Sequence, residues 1–167
     1  MNHAVRQPFA AAPFASGSGV VLPEWIDSND HMNLAYYIVL FDTGTDVIYN
    51  AFGMDRGYKA RTGFGTFAAE THTLYENELL VGDQITVNSV VIHADAKRLH
   101  IAHEMHRVRD GARAAMQELL MLSVDLSNRR VTPWPTDVMA RLQEAQTAHA
   151  GIHPDWIGRH VGQKRGK

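Results

Sequence analysis

Apolar positions return along this chain in two rhythms, one of three to four residues and one of two. The first governs "LAYYIVLFDTGTDVIYNAF", residues 34–52, where Leu34, Tyr37, Ile38, Phe41, Thr45, Ile48 and Phe52 fall at helical steps. Asn33 stands where an N-cap belongs and Gly53 where a stop belongs. Such a helix spans about 28 Å, and its apolar content requires cover from other elements. The second rhythm belongs to three later segments with strand character. "TFAAETHTLYENELLVGD" ends on Gly-Asp, and "QITVNSVVIHAD" is β-branched and alternating. "KRLHIAHEMHRVRDG" alternates and closes on Asp110-Gly111, a hairpin signal. "GVVLPEWI" is a short β-type run interrupted by Pro23.

"ARAAMQELLMLSVDLS" carries two conflicting signals. Its Ala, Met, Gln, Glu and Leu favour helix, and on propensity alone it leans that way. The Asp-Gly turn before it asks instead for an antiparallel partner strand. A final helix restarts after Pro135 in "TPWPTDVMARLQEAQTAH". A strand, one long helix, several antiparallel strands and a short helix predict an α+β fold, with a sheet packed on the single long helix. No repeat or linker divides the chain. We expect a flexible N-terminal arm over 1–18, one domain over 19–150 and a tail over 151–167.

Composition removes several functions. Hydrophobic residues make up 45% and charged residues 20%, as in ordinary globular proteins. A net charge of −2 gives no reason to expect nucleic acid or an anionic membrane as partner. The absence of cysteine excludes disulfides, thiolate nucleophiles and Cys-based zinc sites. No apolar run approaches the roughly 18 residues of a membrane span. The N-terminal Ala/Phe stretch is broken by Pro8 and Pro13 and makes a poor signal peptide, so a cytoplasmic location is expected.

Candidate chemistry concentrates in "DSNDHMN", residues 27–33, directly before the long helix. Asp27, Asn29, His31 and Asn33 alternate, and Tyr36 and Tyr37 follow. Turn and cap preferences account for each of these residues singly. Together they resemble the signature of hotdog-fold acyl thioesterases. In the 4-hydroxybenzoyl-CoA type, an Asp shortly before the central helix is catalytic and is often followed by Gly-His; Asp27 and His31 match that Asp and His. In plant acyl-ACP thioesterases, D-x-N-x-H-x-N supplies catalytic Asp, Asn and His, matched here by Asp27, Asn29 and His31, with Asn33 as the trailing Asn. The Gly common before the His is Asp30 here, a residue that tolerates left-handed angles better than most.

The resemblance extends less specifically over about residues 19–126. It implies five antiparallel strands wrapped around one long helix, and it makes "ARAAMQELLMLSVDLS" the last long strand. "DAKRLHIAHEM" and "HMNLAYY" give a narrower resemblance to the betainyl-CoA thioesterases of carnitine breakdown.

What the resemblance implies is hydrolysis of a small acyl-CoA, with betainyl-CoA as the specific expectation. Asp27 would deprotonate water or attack the carbonyl, and the first amides of the helix would polarise it. Asn29 would hold the water or the carbonyl, and His31 would donate to the thioester oxygen or orient Asp27. Asn33, Tyr36, Trp25 and Phe67 are the expected substrate contacts. Trp25, Tyr36 and Phe67, with Tyr37 and Phe64, offer rings to a quaternary ammonium; Tyr37, on the apolar stripe, reads first as core. Arg56, Lys59, Arg61, Lys97 and Arg98 are available for the CoA phosphates. No cofactor and no metal are required, and the implied assembly is a homodimer or a tetramer of two dimers.

Other readings are weaker. Glu70 reads as an exposed strand carboxylate. His100, His103, Glu104 and His106 do not form H-E-x-x-H, and on a strand His103 faces away from the other two histidines. A calcium loop at 27–33 lacks its glycine and its closing Glu. A non-catalytic acyl-CoA-binding module on the same fold is the alternative from another class. A hotdog dehydratase ranks below both, because its usual His motif on the helix is missing.

Overall fold

The computed structural model describes residues 13–162. Helix α1 runs Leu34–Phe52, within the limits its caps predict. The Asn33 side chain accepts a hydrogen bond from the Ala35 amide at 3.0 Å. Gly53 closes the helix at φ 83°, where a side chain would be strained, and Arg141 Nη1 donates to the Phe52 carbonyl at 2.7 Å. The buried stripe is Tyr37, Phe41, Gly44, Thr45, Ile48, Tyr49 and Phe52. Leu34 and Ile38 fit the helical rhythm but lie outside that stripe. Gly44 lets the helix approach the sheet, because a Cβ there would stand 3.2 Å from Ser16 Oγ.

The sheet is antiparallel. Its strands are β1 (Phe14–Val20), β2 (Phe64–Tyr75), β3 (Gln84–Ala94), β4 (Arg98–Arg107) and β5 (Arg113–Asp125), in the order β1-β3-β4-β5-β2. A two-residue β6 (Arg130–Val131) adds to β5. Short helix α2 (Tyr58–Thr62) leads into β2, and α3 (Thr136–His149) packs its Val138, Leu142 and Ala145 with Ile48, Phe52, Leu99 and Ile101. The sheet thus curls around α1 with α3 beside the C-terminal half of that helix, which is the hotdog arrangement. Among the described residues, no helix is long and apolar enough to cross a membrane.

Three expectations change, and one conflict of signals is settled. The first strand is Phe14–Val20, not the "GVVLPEWI" run, whose Pro23–Trp25 forms a single 3-10 turn. The arm expected over 1–18 therefore gives up residues 14–18 to the sheet, and residues 1–12 lie outside the described residues. The segment that leans to helix on propensity is strand β5, as the family resemblance requires. Finally, β2 ends at Tyr75, and residues 76–83 leave the sheet.

Within the expected tail, Trp156 is 2% exposed and packs on Ala102 and Met116, on the sheet face opposite α1. Residues 163–167 lie outside the described residues.

Candidate active site

Residues 26–32 form a tight hairpin closed by an antiparallel bridge between Ile26 and Met32. Its polar groups first satisfy the backbone. The Asp27 amide donates to the His31 carbonyl at 3.0 Å and the Asp30 amide to the Asp27 carbonyl at 3.1 Å. Asp27 Oδ1 accepts from the Asn29 amide at 2.8 Å, which completes an Asx turn. Asp30 occupies the left-handed region at φ 64°, so the turn forms with Asp in place of the glycine that the resemblance implies. The hairpin is pinned at its exit, where the Met32 amide donates to the Leu79 carbonyl at 2.8 Å and the Asn33 amide to the Trp25 carbonyl at 2.9 Å. Met32 is buried beside Tyr37 and Leu79.

This pinning sets the hairpin against the segment that follows β2 and leaves a cleft of about 410 Å³ between them. Asp27, Asn29, His31 and Leu34 line one side. Tyr75 through Glu78 line the other, with Tyr37 at the base. His31 Nδ1 lies 3.7 Å from Asp27 Oδ1, and the two side chains are 36% and 21% exposed. The sequence-predicted catalytic residues are thus gathered around one open space.

The start of α1 faces the same space through Leu34. The Ala35 amide is taken by the Asn33 side chain and the Tyr36 amide by the Asn33 carbonyl at 3.1 Å. Among the described residues, the Leu34 amide has no such partner. It stands at the positive end of the helix, where an oxyanion is stabilised. Tyr37 is 4% exposed. Burial pushes its phenol up to about 12 against a hydrogen bond with the Leu79 backbone, so the hydroxyl stays neutral in the ordinary pH range. Tyr75 meets Tyr37 edge-on, with centroids 5.2 Å apart at 83°. The Glu76 carboxylate is held by Arg113 Nε at 3.0 Å.

The expected substrate contacts divide. Asn33 serves as the helix cap. Trp25 and Tyr36 stack on each other at 5.3 Å and 17°, and neither lines the cleft. Phe67 is 62% exposed on edge strand β2, eight residues before Tyr75 and therefore roughly 26 Å away along the strand. The structure does not bring it to Asp27 within one chain. Arg98 stands with Leu122 near the start of β2, at the end of the sheet away from the hairpin. Arg56, Lys59 and Arg61 belong with α2, beyond the C-terminus of α1. His103 points inward and is fully buried, whereas His100 bonds Glu118 and His106 lies near Glu104 on the outer face, as strand alternation requires.

The wall formed by Tyr75, Glu76 and Glu78 was not legible as part of a site. Its only local signal is an aromatic residue and two carboxylates in "YENE". What recruits it is the long-range bond from Met32 to Leu79.

Comparison with known proteins places the chain in a family. The model of the thioesterase-like superfamily matches residues 21–142. The betainyl-CoA thioesterase of Pseudomonas aeruginosa is 32% identical over 143 residues, covering 85% of this chain and 90% of that protein. The L-carnitine dehydrogenase/betainyl-CoA thioesterase of Rhizobium meliloti is 32% identical over 157 residues, covering 93% of this chain and 32% of that longer protein. A Staphylococcus aureus protein solved in complex with CoA superposes with a TM-score of 0.83 at 25% identity, covering 92% of this chain and 99% of that one. A 1,4-dihydroxy-2-naphthoyl-CoA thioesterase from Synechocystis shares the fold at a TM-score of 0.67 and 16% identity, covering 84% of this chain and 98% of that one.

Proposed function

Since the chain belongs to the thioesterase-like superfamily and is an acyl-CoA thioesterase, we propose that its substrate is betainyl-CoA and that Asp27 carries the hydrolysis. One observation supports the site above all others: Asp27 and Leu34, whose amide is unclaimed, line the same cleft. Hydrolysis of a thioester needs both a base or nucleophile and a donor for the oxyanion. Asp27 Oδ1 is engaged by the Asn29 amide, which leaves Oδ2 for chemistry. Oδ2 either takes a proton from the attacking water or adds to the carbonyl, forming a mixed anhydride that water then opens. Both routes release CoA as the thiol and the acyl group as a carboxylate. Asn29 and His31 border the space and position the water and the thioester. Single turnover in isotopically labelled water tests the anhydride route, because label enters the Asp27 carboxylate only when an anhydride forms and water opens it at the aspartyl carbonyl.

The working unit in this reading is a homodimer. The cations suited to the CoA phosphates stand at the far end of α1 from Asp27. Among the described residues, Arg56, Lys59 and Lys97 make no ion pair there. Strand β2 is an open sheet edge with its central residues exposed. Antiparallel pairing of two such edges would carry the partner's cationic end alongside this chain's Asp27.

The test is Asp27→Asn, assayed by release of free thiol from betainyl-CoA. The amide still accepts from Asn29 and keeps the turn, but it is neither a base nor a nucleophile. We expect kcat/KM to fall by about 10²–10⁴-fold with unfolding unchanged. Turnover at the parent rate in the purified variant would reject Asp27.

A further inference from the structure

The acyl end of the cleft has an unusual charge balance. Asp27, Glu76 and Glu78 line it, and among the described residues no lysine or arginine does. Arg113 neutralises Glu76 at 3.0 Å and binds Glu104 at the same distance, and Arg107, whose Nη1 donates to the Glu78 carbonyl at 2.7 Å, is itself paired with Asp110 at 2.7 Å, so the negative charge of the cleft comes from Asp27 and the exposed Glu78. The Tyr37–Tyr75 pair lines the same cleft as these two carboxylates. Tyr37 is buried in the core, whereas Tyr75 is 47% exposed and offers its ring to the cleft. A quaternary ammonium forms no hydrogen bonds. It is held by aromatic faces and by negative potential, and both are present here.

The chemistry of the proposed acyl group makes this placement specific. In a betainyl thioester, a single methylene separates the ammonium nitrogen from the carbonyl carbon. Once the carbonyl is engaged by Asp27 and the Leu34 amide, the cation has no freedom to sit elsewhere in the chain. It falls within the same cleft.

We infer that Tyr75 and Glu78 are the specificity-determining residues of this site, reading the cationic head of the acyl group through the Tyr75 ring and the Glu78 charge. This inference rests on the betainyl reading above. Neither residue belongs to the hairpin or the helix that carry the chemistry. Selectivity and catalysis would therefore come from opposite walls and respond separately to substitution.

The experiment compares kcat/KM for betainyl-CoA with that for 3,3-dimethylbutanoyl-CoA. This neutral isostere replaces the ammonium nitrogen by carbon and keeps shape and reactive carbonyl. The full-length parent should prefer betainyl-CoA. Glu78→Gln and Tyr75→Leu should each lower that preference about tenfold, chiefly through KM for the cationic substrate. Tyr75→Phe keeps the ring and should keep the preference. If the parent prefers betainyl-CoA and both substitutions leave its preference intact, the assignment of Tyr75 and Glu78 is overturned while the betainyl reading stands. A drop in Tyr75→Phe as large as in Tyr75→Leu overturns the role of the ring. A parent that prefers the neutral isostere overturns the betainyl reading, and this inference with it.

Discussion

Asp30 holds a backbone angle that most side chains avoid, and it does so in the hairpin that carries Asp27. At φ 64° it turns the chain so that the carboxylate two residues before Asn29 can accept the Asn29 amide. Asp bears this conformation at a modest cost because its short polar chain interacts locally; Ala gains no such compensation, and Gly has no Cβ to strain. Asp30→Ala should therefore destabilise the protein by about 1 kcal/mol, and Asp30→Gly should be neutral or slightly stabilising, as read from urea unfolding. Equal destabilisation by both would show that the Asp30 side chain, not its backbone angle, holds the turn. At this scale the hairpin wall of the site was legible in advance, since Asp27, Asn29 and His31 lie within one local turn. The opposite wall was not, because Tyr75 and Glu78 reach the cleft only through tertiary pairing.

Elements are joined by a buried polar chain that no sequence pattern announced. Ser16 on β1, Ser89 on β3, His103 on β4 and Thr45 on α1 link the helix to the sheet. The proton positions follow from the Thr45 end. Thr45 Oγ1 donates to the Phe41 carbonyl at 3.1 Å, so it accepts from His103 Nε2 at 3.1 Å. His103 Nδ1 then carries a lone pair and accepts the Ser89 hydroxyl at 2.6 Å, and the single Ser16 proton is divided between Ser89 at 2.6 Å and the Val87 carbonyl at 3.2 Å. A second ring proton would break this order, and burial alone pushes the imidazole down to about 3. Burial also lowers His149. An unfolded histidine takes up a proton near pH 6.5, so the unfolded state binds more protons than the folded one below that pH. The stability contributed by the neutral rings is complete above pH 6.5 and is lost as pH falls.

His103 alone should cost about 1.4 kcal/mol per pH unit on descending from pH 6 to 4.5, measured by urea unfolding. NMR should show its ring neutral, with the proton on Nε2, across that range. A ring that titrates near 6.5 would refute the arrangement. The same packing explains why two strands were hard to read. β5 is an interior strand, buried on both faces over residues 114–117 and half-buried on its outer face beyond, so its apolar positions lose the two-residue alternation, and helix propensity is left as the louder local signal. β1 hides in "FASGSG" because its inward residue is Ser16, polar in sequence but satisfied inside the fold.

At the scale of the whole molecule, the sheet needs cover on both sides, and α1 supplies only one. The segment after α3 supplies part of the other. Trp156 lies on Ala102 and Met116 with Leu74, Ile92 and Ile157 packed around them. Its indole Nε1 donates to Glu104 at 2.7 Å, and the Gly158 amide donates to Glu118 at 2.8 Å. Those carboxylates have cationic or imidazole partners of their own: Glu104 binds Arg113 and Glu118 binds His100 at 2.8 Å. The segment is thus fastened by one large apolar side chain and by hydrogen bonds to acids that the sheet already orients. Sequence alone gives it no periodicity, and a lone tryptophan in a Gly- and His-containing stretch reads as tail. Trp156→Ala should lower stability by about 3 kcal/mol, the cost of emptying a fully buried aromatic site. Trp156→Phe keeps most of the buried area but leaves Glu104 short of a donor, and should cost about 1–2 kcal/mol. Thermal unfolding of the two variants separates packing from hydrogen bonding. If Trp156→Ala unfolds with the parent, the outer sheet face is covered by something other than this segment, and the edge between the two layers has been drawn in the wrong place.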